Sequence, residues 1–566
     1  MILGIVIAIG LSSALYLYEI DKNSLIYYND SISHLVRSRE FVDSMKPGLL
    51  EQLGTSWLPL PHLLLLPFTL IDPLFKSGFA GLAVSLPCFA ITSVLLYRII
   101  RSHIGAGISF IAVIGALLFA SNPNMIYLGI SPMTESPFML FFVASAYYFQ
   151  KWYQRTPMSY SLGIKKSNSI SKEKSIRMKS SYQYPYVHRL SNLLKCSLFL
   201  SFATLSRYEA WILPLFLVFF VIAFMVKNRR DYDITHKALA IAVSILSFFG
   251  IGLWVIYNAY FYNDPFEFQN AEFWSAAAQA KNLEPSQSLY HQPLKVASVY
   301  LTTALYMYGP VLLIGALIGF VFDCFFNRKE QKEKGILYLY LVLPALVVPV
   351  SLVMGTAELN TRHQWFNSRY LVILFPLVIL FVSVLIARLR QKVGKNGFVI
   401  IGAALTGLLF ISQLAVQVLG IVTFSDAKWN SMHGSRPFTI NAAEALESSY
   451  TGGTILIITG SPQQNNIRQA SGIALKNFDT VLNNDTSKPS FKEPWLYANY
   501  IVIGKRPDLS AVNISKYWQD RHELLNHYFD TIYDDHYYMI MAKKNVQPLK
   551  SIEAGNTTRT YIIHQR

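Results

Sequence analysis

Eleven stretches of roughly 17 or more mainly apolar residues recur along the chain, near 2–18, 78–100, 105–121, 136–152, 190–206, 209–226, 238–258, 296–323, 336–354, 370–387 and 398–422. Only helices and closed barrels satisfy their own backbone in hydrocarbon, and segments of this length suit helices. The pattern predicts a polytopic α-helical membrane protein with about eleven transmembrane helices. Composition agrees, since 52% of the 566 residues are hydrophobic and only 14% are charged, too few to coat a soluble globule. The +16 net charge comes from Lys and Arg in short runs between apolar segments, which marks cytoplasmic loops rather than a nucleic-acid partner. Cys88, Cys196 and Cys324 lie in or beside apolar segments, so neither a disulfide framework nor a zinc spacing is present.

One apolar stretch is left out of the spans. "LPLPHLLLLPFTLIDPLF", from Leu58, contains Pro59, Pro61, Pro67 and Pro73, each of which removes a backbone donor, and it reads as an interfacial or re-entrant element. With that choice and a cytoplasmic N-terminus, the basic loops fall on one side: Arg98/Arg101, "KKSNSISKEKSIRMK", "KNRRDYDITHK", "NRKEQKEK" and "ARLRQKVGK". Residues 19–77, 122–135, the "SRYE" turn, 259–295, 355–369 and the tail after Thr423 fall on the other side. The loop 155–189 is rich in Ser and Lys, poor in apolar residues, and is expected to be disordered.

The boundary expected from this pattern separates a membrane domain, 1–424, from an extracytoplasmic α/β domain, 425–566. In the tail, "TILIIT", "NYIVIG" and "YYMIMA" read as short buried strands, with helical stretches at "NNIRQASGIALKNF" and "KYWQDRHELLNHYF". Asn484, Asn513 and Asn556 begin glycosylation triplets. "TGSPQQNN" lacks the glycines of a phosphate loop, and no chemistry is assigned to the tail.

Polar residues collect on the presumed outer side. In a helix starting near Asn29, Asp30, His34 and Arg37 recur at i, i+4 and i+7, with Ile32, Leu35, Val36 and Val42 on another face. Such a helix rests its apolar stripe on the membrane and presents a carboxylate, an imidazole and a guanidinium together. Asn29 and Asp30 equally suit a helix start, where they favour the dipole. "SNPNMIYLGISPMTESPF" places Glu135 in the first turn of a span with Thr134 as its cap; ionisable residues at membrane depth are functional candidates by default. "LSRYEAW" and "WFNSRYLVILFP" each set an Arg-Tyr pair at a helix end, Arg207-Tyr208 and Arg369-Tyr370. Guanidinium grips phosphate bidentately and tyrosine adds a hydroxyl, although snorkelling to headgroups accounts for either arginine alone. Glu267, Glu272 and Trp274, in the loop 259–295, belong to the same side.

These features resemble the GT-C glycosyltransferases, in particular the protein O-mannosyltransferase or family 39-like branch. The matching stretches are "NDSISH" in the first external loop, "WLPLPHLLLLPF", "NPNMIYLGISPMTESPFM" and "RYLVILFP", in that order over roughly residues 1–390. The resemblance implies a polyprenyl-phosphate sugar donor, mannose or another hexose, and an extracytoplasmic protein, glycan or lipid acceptor. On this chain it implies Asp30 as catalytic base, Glu135 as a second catalytic acid, and His62 and Arg369 as holders of the lipid phosphate. His34, Arg37, Arg207, Tyr208 and Tyr370 complete the expected substrate-binding set. Two departures matter. The adjacent Asp-Glu pair of the eukaryotic O-mannosyltransferases is absent, since Ser31 follows Asp30, and so is the Trp-Trp-Asp-Tyr-Gly motif of oligosaccharyltransferases. The compartment expected is the plasma membrane of a prokaryote or the endoplasmic reticulum of a eukaryote.

Chemically, a carboxylate that takes the acceptor proton contributes on the order of 10²–10⁴-fold, and fixed cations stabilise the departing phosphate. One base without a second nucleophile suggests displacement with inversion. Asp30, His34, His62 and Glu135 also suit a divalent metal, but their spacing identifies none. A flippase for polyprenyl-linked sugars needs similar groups; matching halves with broken spans, the sign of inverted-repeat transporters, are not evident. A non-catalytic receptor leaves the charged clusters without a role.

Overall fold

The computed structural model describes residues 1–45, 50–154, 173–230, 232–270, 288–326, 331–357, 367–418, 422–432, 436–481, 487–505 and 512–544. It is a polytopic helical bundle carrying a small α/β unit at its C-terminal end. A helix forms at each of the eleven apolar stretches, but the span count differs from expectation. Among the described residues, six helices are long and apolar enough to cross a membrane, or eight if each of two bent pairs is one span.

The differences have local causes. The expected span 296–323 is two helices, Pro293–Tyr308 and one opening at Pro310, bent by 105°. Gly309 turns the chain at φ 77°, and Pro310 brings no amide hydrogen to continue the first ladder. Ser109–Ala120 and Pro123–Ile130 bend by 67° at Asn122, whose side chain accepts the amides of Asn124 and Met125 at 3.0 and 3.3 Å and so starts a new helix. The stretch 398–422 yields the shorter Val399–Ala415, separated from the Ser368–Gly394 span by Gly394 at φ 72°. Leu60–Thr69 has ten residues, short for a crossing as expected. The loop expected over 155–189 is helical from Glu173 onward, because Glu173–Thr204 extends the fifth apolar stretch backwards; 155–172 lie outside the described residues.

The chain passes from bundle to α/β unit through the helix Val422–Met432. That unit holds a five-stranded sheet: β1 (Ile455–Ile458), β2 (Phe478–Thr480), β3 (Tyr500–Gly504), β4 (Phe529–Asp534) and β5 (Tyr538–Lys543), in the order β2-β1-β3-β5-β4. β2, β1 and β3 run parallel, and β5 and β4 pair antiparallel beyond β3. All residues of β1 and β3 are buried, which is why they read as continuous apolar runs. Asn513 lies in the helix Val512–Gln519, while Asn484 and Asn556 lie outside the described residues.

The helix Asn29–Glu40 positions the site, and it does not lie on a membrane surface as its amphipathic pattern suggested. Ile32, Leu35 and Val36 pack into one cluster with Leu65, Phe75, Ala80 and Val84 of the bundle and Leu475 of the α/β unit. Its polar side meets the helix Ser461–Ser471, where Asn465 and Asn466 donate to Ser33 Oγ (3.0 Å) and Asn29 Oδ1 (3.3 Å). The helix therefore meets protein on both its apolar and its polar face, while Val42, beyond its last turn, is exposed.

Candidate active site

Four helix beginnings meet at the end of the bundle that the α/β unit covers. Asp30 lies in the first turn of Asn29–Glu40, after Tyr28 at the cap position, so it complements the helix dipole without capping it. Glu135 is the first residue of Glu135–Tyr153. Arg207 precedes the turn Tyr208–Trp211, and Arg369 lies in the tight turn Ser368–Leu374 that opens the Ser368–Gly394 span. Asn367, left-handed at φ 59°, aims the start of that turn.

Arg369 joins two carboxylates that are distant in sequence. Its Nη2 lies 2.5 Å from Asp30 Oδ2 and its Nε 3.4 Å from Glu135 Oε1. The Glu135 side chain is 1% exposed and that of Asp30 41%, so one acid is sealed in and the other opens to solvent. Glu135 is held more closely by Arg207, whose Nη1 lies 2.6 Å from Oε1. The same nitrogen donates to Thr134 Oγ1 at 3.2 Å, so Thr134 serves the arginine rather than capping the helix as expected. On its other edge Arg207 pairs with Glu209 at 2.6 Å. The ring of Tyr370 lies 5.1 Å from the Arg207 guanidinium and 5.9 Å from that of Arg369, and Tyr28 supplies a further face 4.9 Å from Arg369. Glu135 Oε2 and Arg369 Nε complete no hydrogen bond among the described residues, which leaves capacity for a polar ligand or water.

His34 and His62 flank this centre as a buried pair, with Nδ1 of the first 2.9 Å from Nε2 of the second and Trp57 against both rings. Burial, then the charges of Arg369 and Arg207, push the His34 pKa down to about 3; burial and His34 lower that of His62. Both imidazoles are therefore neutral near pH 7.

Asp30, Glu135, Arg207, Arg369 and Tyr370 thus form one connected centre, with His34 and His62 beside it. Two expected members point elsewhere. Arg37 pairs with Glu40 at 3.2 Å and donates to the Gln52 carbonyl. The Tyr208 hydroxyl donates to the Ser56 carbonyl and accepts from Trp254, inside an aromatic layer with Trp211 and Phe268. Glu267 opens a short helix beside that layer, while Glu272 and Trp274 lie outside the described residues. Sequence reasoning missed Tyr28, Glu209 and Asp426. Tyr28 and Glu209 stand within the stretches already singled out. Asp426 gave no signal; it accepts from the Tyr28 hydroxyl at 2.8 Å, and burial pushes its pKa up to about 7.

Among the described residues no three His, Cys, Asp or Glu side chains gather as metal ligands do. The two carboxylates face guanidinium groups instead. Grooves of about 490, 570 and 610 Å³ open on the apolar perimeter, and Asp30 and Arg369 line none of them.

No protein-family model and no curated protein matches the sequence. Solved structures do. ArnT from Cupriavidus metallidurans in the apo state matches with a TM-score of 0.53 at 14% identity, over 94% of this chain and 97% of that one. ArnT bound to undecaprenyl phosphate matches at 0.51 and 13% identity, over 95% and 98%. The Archaeoglobus fulgidus oligosaccharyltransferase AglB, in complex with an inhibitory peptide and a dolichol-phosphate, matches at 0.46 and 12% identity, over 97% and 75%. The likeness to ArnT extends over nearly the whole of both chains and establishes the fold: a multi-pass membrane protein of GT-C architecture.

Proposed function

We propose that this chain is a membrane glycosyltransferase that moves a sugar, mannose or another hexose, from a polyprenyl-phosphate carrier to an extracytoplasmic acceptor. One observation carries the reading: Arg369 bridges Asp30 and Glu135 where four helix beginnings converge. The likeness to a fold seen with undecaprenyl phosphate in ArnT supports a lipid-phosphate donor. The side is supported by the basic loops, which the positive-inside rule assigns to the cytoplasm, opposite the site.

The chemistry follows from the resting ion pairs. A donor phosphate that reaches Arg369 competes with the carboxylate of Asp30, the more exposed and singly held of the two acids. Displaced from the guanidinium, Asp30 becomes a free base beside the bound donor. It takes the proton of the acceptor hydroxyl as that oxygen bonds to the anomeric carbon. The bond from that carbon to the phosphate oxygen breaks, and its electron pair leaves with the polyprenyl phosphate. Arg369 and Arg207 stabilise the added charge on the leaving group. Glu135 and Glu209 hold the two guanidiniums in place before the donor arrives, so little reorganisation is needed when it does. Attack from the side opposite the phosphate inverts the anomeric centre.

Incubating the purified protein with radiolabelled polyprenyl-phosphate mannose or glucose and a membrane extract tests the reading. Label in the acceptor with an inverted anomer is the expected result. Label that crosses vesicle membranes on its lipid without transfer would make the protein a flippase, and a retained anomer would overturn direct displacement.

A further inference from the structure

We infer that the C-terminal α/β unit forms the outer wall of this site and that Arg468 is a positioning residue for Asp30. The inference rests on the reading of Asp30 as base. The helix Ser461–Ser471, sequence SPQQNNIRQAS, is polar, yet it is not a solvated surface. Asn466, Arg468 and Gln469 are buried, and each meets the membrane domain. Gln469 donates to the carbonyls of Phe75 and Lys76 at 3.1 and 2.7 Å. Asn466, Asn465 and Arg468 reach Asn29, Ser33 and Glu40, the last at 2.7 Å. Residues 29, 33 and 40 are four and seven apart, so they share one face of the helix. Asp30 stands about 100° round from Asn29, facing Arg369.

Other contacts fix the far end of the same helix. Asp43 accepts the amides of Leu475 and Lys476 at 2.9 and 3.0 Å while pairing with Arg39, also at 2.9 Å. Leu475 enters the apolar cluster under Ile32, Leu35 and Val36. The helix bearing Asp30 is therefore held between the bundle and the α/β unit along its full length. Arg468 and Glu40 are both nearly buried, at 6% and 12% side-chain exposure. A buried ion pair contributes little net stability over an apolar pair of the same shape, and its role in several systems is to fix geometry and register. Here the register it sets is that of Asp30 against Arg369.

Arg468→Ala and Arg468→Lys in the full-length protein test this by amide hydrogen exchange and by transfer kinetics. With Arg468→Ala, amides of residues 29–40 should exchange on the order of tenfold faster, while those of Phe79–Ile104 keep their rates. kcat should fall on the order of tenfold to a hundredfold with donor KM within about threefold, because the base is displaced while the guanidiniums stay. Arg468→Lys, which keeps the charge, should recover much of the rate. Unchanged exchange at 29–40, a wild-type kcat, or equal loss of protection in both segments would overturn the inference. Should Arg468→Ala not fold, Asn465→Ala, which removes the Ser33 contact and one acceptor of Arg468 at 3.4 Å but leaves the Arg468–Glu40 pair, is read by the same criteria. If the wild-type protein transfers no sugar, the glycosyltransferase reading fails alone, and the exchange data still decide whether the unit holds the helix.

Discussion

Arg207 stands between two carboxylates, and that arrangement predicts a specific failure of additivity. Its Nη1 lies 2.6 Å from Glu135 and its Nη2 2.6 Å from Glu209. Its side chain is 11% exposed, so water replaces neither partner well. Glu135→Gln removes one charge, but the amide oxygen still accepts a hydrogen bond and Glu209 still neutralises the arginine. A loss of about 2–3 kcal/mol is expected, at or just below the range for breaking a buried pair. Glu209→Gln should cost somewhat less, since Glu135 remains. The double variant leaves a buried guanidinium with no acid in contact, so its cost should exceed the sum of the singles by about 1–2 kcal/mol. Equilibrium denaturant unfolding of the purified proteins in detergent micelles measures the three differences. Additivity within about 0.5 kcal/mol would refute the shared-partner account.

Two further expectations concern the surroundings of the centre. His34 has a folded pKa of about 3 against 6.5 for the free side chain, so the unfolded state binds the extra proton between those values. Its contribution to stability is complete above about pH 6.5 and is lost as pH falls toward 3, by up to about 1.4 kcal/mol per pH unit. His34→Gln should flatten the acid limb of Tm against pH only partly, because His62 keeps its own share; an unchanged limb would count against the buried neutral pair. A Cβ on Gly81 would meet the Pro132 backbone nitrogen and Cβ at 2.4 Å, beneath the "SPMTE" turn that delivers Glu135. Gly81→Ala should cost about 1–3 kcal/mol and weaken donor binding together with stability. A wild-type Tm for that variant would mean the turn yields without strain.

Much of this was legible where physics acts locally. Apolar length marked where the long helices of the bundle form, and continuous apolar runs marked the three inner strands. The edge strands β2 and β4 were not legible, because FDT and FDTIYD are short, polar and solvated on one side. Bends at Asn122 and Gly309 were hidden inside runs that hydropathy averages over. Asp30, Glu135, Arg207 and Arg369 were legible as charges at helix ends on one side. Their pairing was not, since Asp30 and Arg369 are joined only by the packing of the whole bundle. The docking of the α/β unit was the least legible, because nothing in the polar sequence SPQQNNIRQAS announces the carbonyls and the carboxylate that its side chains meet.

The central claim is that Asp30 takes the acceptor proton after donor phosphate releases it from Arg369. Single-turnover transfer from a radiolabelled polyprenyl-phosphate sugar by wild type and Asp30→Asn, with donor binding measured in parallel, tests it most directly. The account predicts transfer reduced on the order of 10²–10⁴-fold in the variant. Donor binding should be retained or tightened, since Arg369 loses a competing carboxylate. Transfer by Asp30→Asn at the wild-type rate would contradict it.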